Sequence, residues 1–362
     1  MEDSKLNREP IDPVIRGLIG RGLAIPACPL ALDANRRFDP RRQRALLRYY
    51  IASGVGGVAV GVHTTQFAIH DPKVGLLQPV LSLAAEQFDA PDTCRREPLV
   101  RIAGICGPTR QAVSEAAMAR DLKYHAGLLS LGAFRDESDD VILAHCRAVA
   151  DEIPLIGFYL QPAVGGRELS YAFWRRFAEI EPILAIKIAP FDRYRTLDVV
   201  RAVADSGRDD IALYTGNDDH IVLDLLANHR FSATNGTIDR RIVGGLLGHW
   251  AVWTSNAVAL LKECHAAMAN GGAIAGELLT RAQQVTDMNA ALFDVAHGYA
   301  GCIAGIHEVL RRQGLFSGIW CLDPHETLSP GQAAEIDRVC AAYPHLTDDP
   351  FVAEHLDEWM AD

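Results

Sequence analysis

The sequence predicts an α/β fold, a closed (β/α)8 or TIM barrel with a C-terminal helical extension. Three observations predict it. About eight short apolar runs recur, mostly roughly 27 to 35 residues apart, one βα unit each. Amphipathic helical patterns lie between them. The runs are apolar nearly throughout rather than alternating, as strands of a parallel sheet covered by helices should be. Eight such units favour a barrel over an open doubly wound sheet.

Taken in order, residues 1–18 read as a polar arm packing on a neighbour. The strands follow as GLAIPACPL from Gly22, GGVAVGV from Gly56, PLVRIAGI from Pro98 and AGLLSL from Ala126. PLIGFYL from Pro154, PILAIKIA from Pro182, DIALYTG from Asp210 and IVGGLL from Ile242 complete the set. The intervening helix PRRQRALLRYYIASG opens on Pro40 and stops at Gly54, a proline start and glycine stop. PTRQAVSEAAMARDLKYHAG, DESDDVILAHCRAVADEI and LSYAFWRRFAEIEP follow the same plan, and residues 80–98 read as a helix plus a surface loop. The barrel spans 19–268. Residues 269–362 form a helical layer, with GELLTRAQQVTDMNAALFDVAHG, IAGIHEVLRRQG and GQAAEIDRVCAAY as its helices.

Composition excludes several function classes. Of 362 residues, 49% are hydrophobic and 22% charged, enough for a large core. Formal charge is −11, from 35 basic and 46 acidic residues, and no basic run is interleaved with aromatics, so nucleic acid is not an expected partner. The eight cysteines form no CxxC pair and sit in apolar segments, which suits reduced thiols in a cytoplasmic protein. No close metal-ligand pair is present, so no metal is expected. The charged start MEDSKLNREPID lacks the apolar stretch of a secretory leader, and no run of about 18 apolar residues suggests a membrane span.

Chemistry in this fold sits at the C-terminal ends of strands. Lys187 lies in ILAIKIAP, where a lysine is costly unless paired or functional. Burial lowers its pKa and yields the neutral amine that attacks a ketone, or else the side chain snorkels from a strand end. Tyr159 ends the preceding strand, as a proton shuttle or as packing in the barrel mouth. His63, Thr64 and Thr65 in GVHTTQ follow strand two, and cradle a carboxylate or simply cap the turn. Gly216 and Asn217 follow strand seven. Asn217 and Asp218 contact substrate or cap the next helix, Asp218 more readily the cap. His249 and Trp250 follow strand eight, and line a second-substrate pocket or pack the last helix.

Together these residues resemble the dihydrodipicolinate synthase and N-acetylneuraminate lyase family, in a divergent form. The resemblance runs through the barrel on ASGVGGVAVGVHTTQF, VRIAGICGPTRQAVSEAAMARDLKYHAGLLSL, IPLIGFYLQP, ILAIKIAP and IALYTGNDD. It implies a Schiff-base lyase on a pyruvate-like 2-oxo acid, with Lys187 forming the imine and Tyr159 shuttling protons. Thr64 would bind the carboxylate or relay protons, with His63, Thr65, Gly216, Asn217 and His249 around the substrate. No cofactor is implied, since the iminium is the electron sink, and a homotetramer or dimer is the usual assembly. The chain departs from the family where Thr65-Gln66 replaces Gly-Glu, where LGAFRDES lacks a tyrosine, and where Arg167 is displaced beyond Pro162. Aldol cleavage or condensation, dehydration or hydratase-aldolase chemistry on a sugar acid or aromatic 2-oxo acid, and a non-catalytic binding barrel all stay open.

Overall fold

The computed structural model describes residues 11–89, 97–233, 236–269, 271 and 273–361. Cys94 and residues 1–10 of the expected arm lie outside them. Eight parallel strands run in the order β1 (Ala24–Pro26), β2 (Gly57–Val60), β3 (Val100–Ile105), β4 (Ala126–Leu129), β5 (Leu155–Leu160), β6 (Ile183–Ala189), β7 (Ala212–Thr215) and β9 (Gly236–Leu247). The ring closes twice. β9 pairs with β1, and Ala27 bridges to Ala59, where the Cys28 N–H donates to the Ala59 carbonyl at 2.8 Å. Each strand interior is buried on both faces, so the near-continuous apolar runs are the sequence signature of this sheet.

Two elements differ from the sequence reading. Residues Pro13–Arg21 are not arm but helix α1, capped by Asp12, whose carboxylate accepts from the Val14 N–H at 2.8 Å. Its Ile15, Leu18 and Ile19 join the inner barrel core and plug its floor. There the Tyr214 hydroxyl donates to the Ile19 carbonyl at 2.8 Å and accepts from the Leu23 N–H at 3.1 Å. Strand β9 also starts earlier than IVGGLL: its first half leaves the ring and pairs antiparallel with β8 (Asn228–Ala233), held by Arg230 on both oxygens of Asp239 at 2.7 Å.

The helices α2 (Pro40–Ala52), α3 (Leu77–Asp89), α4 (Thr109–Asp121), α5 (Asp139–Ala150), α6 (Tyr171–Phe177), α7 (Arg193–Ser206), α8 (Ile221–Leu226) and α9 (Thr254–Ala269) surround the sheet. The C-terminal layer consists of α10 (Gly276–Leu292), α11 (Cys302–Arg312), α12 (Gln332–Ala342) and α13 (Asp349–Trp359). It shares the outer hydrophobic core with the barrel, and Asp348 ties the two together by accepting from the Tyr49 hydroxyl at 2.8 Å and the Ser255 N–H at 3.0 Å.

A buried ion pair braces the strand-two turn. His70 places Nδ1 2.9 Å from the Glu115 carboxylate and Nε2 2.7 Å from the Gly61 carbonyl. Both partners accept, so the ring is doubly protonated. Burial opposes that charge, but Cys106 and Glu115 outweigh it and lift the His70 pKa to about 10. The folded chain thus keeps a proton to about pH 10 that an unfolded imidazole gives up near 6.5. The pair's stabilisation is whole below pH 6.5 and declines as the pH climbs through 10. Glu115→Gln should cost about 3–5 kcal/mol below pH 6.5, by urea unfolding, and flatten that decline. Equal urea midpoints for the two proteins would contradict this.

Candidate active site

Lys187 sits mid-strand on β6, on the inner face of the barrel, and is 8% exposed. Its amine lies 4.4 Å from the centre of the Phe158 ring. Phe158 is its direct partner across the β5–β6 ladder, so both side chains point inward at the same level. Above them opens a cavity of about 570 Å³, its open mouth included. Ala27, Val62, His63, Thr64, Gly216 and Gly248 line its barrel side, with Asp218 among them.

Burial depresses the Lys187 pKa to about 8, while the charge of Asp218 holds it from falling further. Burial likewise raises the Asp218 carboxyl to about 7, against the pull of Lys187. Burial thus pushes each group toward its neutral form, the amine down and the carboxyl up. His63 is lowered to about 4 by burial and then by the Lys187 charge, so it faces the cavity as neutral imidazole. Asp218→Asn should move the acidic limb of any reaction needing the free amine below pH 8, because the charge that raises Lys187 is gone. The rate of pyruvate-dependent borohydride trapping against pH reads this directly, and an unmoved limb would contradict it.

The other expected site residues divide. Gly216 lines the cavity, where a Cβ would stand 2.7 Å from Lys187 Cε, so its lack of a side chain makes room for the lysine stem. Thr64 lines the cavity too, but its hydroxyl proton goes to the Ala27 carbonyl at 2.7 Å. What the turn offers an anion is main chain: among the described residues nothing accepts from the N–H of His63 or of Thr64. Thr65 is fully buried behind the turn, donating to the Cys28 carbonyl at 2.6 Å and accepting from the Gly61 and Val62 N–H groups. It staples the turn to β1 and does not reach the cavity.

Beyond Thr65, three expectations need correction. Tyr159 is paired with Ile188, one residue out of phase with Lys187, so it points outward into the helix layer. It is fully buried 5.5 Å from the Trp174 ring, and its oxygen accepts from the Leu169 N–H at 3.2 Å. It cannot shuttle protons in the cavity. Asn217 is also turned away: its Oδ1 accepts from the Phe191 N–H at 3.0 Å and its Nδ2 donates to Asp224 at 3.0 Å. Asp218, for which substrate contact was the second alternative to a helix cap, is the member of that turn in the cavity. His249 packs 5.7 Å from the Trp253 ring outside the cavity, and only its N–H approaches the site, 3.4 Å from the Asp218 carboxylate.

Sequence reasoning also missed residues. Phe158 was readable from strand alternation: Gly157 and Tyr159 share the face that meets Trp174 and Phe177 of α6, which leaves Phe158 for the interior. Phe191, Phe293, Tyr299 and Cys302 complete the mouth. The last three belong to the C-terminal layer, where no barrel periodicity flags them. Arg167, the displaced arginine, is occupied by main-chain carbonyls, Glu137 at 3.0 Å among them. Among the described residues no group of three His, Cys, Asp or Glu side chains is arranged to hold a metal, and no helix is long and apolar enough to cross a membrane.

No family model and no curated protein matches the sequence. Solved structures do match in shape. A dihydrodipicolinate synthase from Oceanobacillus iheyensis superposes with a TM-score of 0.71 at 16% identity, over 91% of this chain and 99% of the other. The chloride-inhibited dihydrodipicolinate synthase from Acinetobacter baumannii, complexed with pyruvate, gives 0.70 at 19% identity over 89% and 98%. N-acetylneuraminate lyase from Mycoplasma synoviae gives 0.66 at 15% identity over 89% and 98%. At such identities the likeness establishes the fold, a TIM barrel of this kind with its C-terminal helices.

Proposed function

We propose that this chain is a lyase of the dihydrodipicolinate synthase family that holds a pyruvate-like 2-oxo acid as a Schiff base on Lys187. One observation carries the reading: a buried lysine on the inner face of a closed barrel that lines an open cavity together with Asp218, where burial favours the neutral amine. The neutral amine attacks the C2 carbonyl. Asp218 in its protonated form releases water from the carbinolamine and, ionised again, compensates the iminium. The substrate carboxylate rests on the free N–H groups of His63 and Thr64, beside the His63 ring. Electrons from C3 flow into the iminium, so the reaction needs no metal or organic cofactor. The barrel and its helical layer offer surfaces for the dimer or tetramer such enzymes usually form.

The lining favours one branch of this chemistry. Phe158, Leu160, Val164, Phe191 and Phe293 face the substrate space, and among the described residues Lys187 is the one lysine or arginine in the lining. A second carboxylate or a row of hydroxyls finds few partners there, whereas an aromatic or apolar aldehyde fits. Aldol cleavage or hydratase-aldolase action on the pyruvate adduct of such an aldehyde is therefore preferred over sugar-acid chemistry. Exchange of the pyruvate methyl protons in D2O, followed by NMR, tests the imine: the unaltered chain should catalyse it and Lys187→Met should not. Exchange at the uncatalysed rate with the unaltered chain would point to a binding protein instead.

A further inference from the structure

Part of the cavity's mouth is formed by a residue that no barrel strand supplies. Tyr299 lies between α10 and α11 and lines the same cavity as Lys187. Its backbone is left-handed, with φ of 71°, in a stretch where Asp294 (56°) and Gly298 (61°) are left-handed too. A non-glycine residue there is strained and persists only where its surroundings fix it. Asp294 does so. Its carboxylate accepts from the Gly301 N–H at 2.9 Å, the Ser329 hydroxyl at 2.5 Å and His297 at 2.6 Å, and its carbonyl accepts from the Tyr299 N–H at 3.0 Å. Across the mouth stands Phe191, also left-handed at 52°, its ring 5.9 Å from that of Tyr299. Two strained residues from separate layers thus meet above the lysine.

Tyr299 is half-buried, and Gln161 lines the same cavity. Among the described residues no acceptor takes the phenol proton. We propose that Tyr299 is a catalytic residue contributed by the helical layer, hydrogen-bonding the C4 oxygen of an aldol adduct held on Lys187 and relaying its proton. This rests on the Schiff-base reading. In cleavage the C4 hydroxyl gives its proton to the Tyr299 oxygen as the phenol passes its own to the Asp218 carboxylate, which lines the same cavity. The C3–C4 bonding pair moves into the iminium, leaving an enamine on Lys187 and a free aldehyde. Nothing is oxidised or reduced.

The test uses 4-hydroxy-2-oxo-4-phenylbutanoate, the adduct of pyruvate and benzaldehyde, with borohydride and mass mapping of Lys187. The unaltered chain should carry the reduced pyruvate fragment, because cleavage precedes reduction. Tyr299→Phe should carry the intact adduct and release benzaldehyde at least about 100-fold more slowly. Pyruvate itself should still be trapped by Tyr299→Phe, which shows the site is folded. The same species on both proteins, whether fragment or intact adduct, overturns the proposal. If pyruvate is not trapped even on the unaltered chain, the Schiff-base reading itself fails, and this inference with it.

Discussion

Lys187→Met should abolish lyase activity, by at least about 10⁴-fold in kcat, while leaving the protein as stable as before or more so. The loss is large because no other amine can replace it: Lys73, Lys123 and Lys262 are exposed, and no other described lysine is buried. On the proposed mechanism, removing Lys187 removes the covalent step, and loss of such a group in other enzymes costs about that much or more. The stability half follows from the same burial that lowers the pKa. A desolvated amine is a burden on the fold, and a methionine of similar length fills its space without one. Thermal unfolding beside a rate assay checks both. A variant that lost activity through unfolding, or kept more than about one hundredth of it, would contradict the assignment.

Gly216→Ala should cost less than loss of the lysine but still about 100-fold in rate, though it touches no reacting atom. The new Cβ would stand 2.7 Å from Lys187 Cε, 3.1 Å from its Cγ and 2.8 Å from the Ala189 Cβ. The lysine stem can yield, but the Ala189 Cβ is fixed to strand β6. The Gly216 N–H is itself held to the Ile188 carbonyl at 2.7 Å, so the turn cannot retreat. The amine must therefore move by about 1 Å, which in an aligned site costs about 100-fold in rate. Overpacking adds about 1–3 kcal/mol of destabilisation. Ala189→Gly on the same chain removes the fixed half of the clash and should restore part of the rate. Full activity in Gly216→Ala would mean the lysine does not sit where its chemistry requires.

The barrel was legible because parallel strands covered on both faces cannot hide polar residues. The eight apolar runs therefore map onto the eight strands. The β8–β9 hairpin was missed because NHRFSA and TIDRR are exposed and polar, with no buried face to pattern them. α1 was missed because PVIRGLIGR carries only three buried residues, and its role as a plug depends on a floor formed by strands far along the chain.

In the site, Lys187 stood out because charge inside a fully buried strand demands a reason. Tyr159 misled because one residue of phase decides between the interior and the helix layer, and the Tyr-x-x-Pro spacing says nothing about phase. Asp218 was undervalued because an acid before a helix is so often a cap, and only the packing of β7 beside β6 makes it face Lys187. Tyr299 was beyond reach of pattern reading, since its position is set by a left-handed turn fixed through Asp294.

The most direct measurement is borohydride reduction in the presence of pyruvate, followed by peptide mass mapping of every lysine. A reduced pyruvate adduct on Lys187, absent from Lys73, Lys123 and Lys262 and lost in Lys187→Met, is the result this account predicts. No adduct, or one spread over the exposed lysines and unchanged in Lys187→Met, would contradict it.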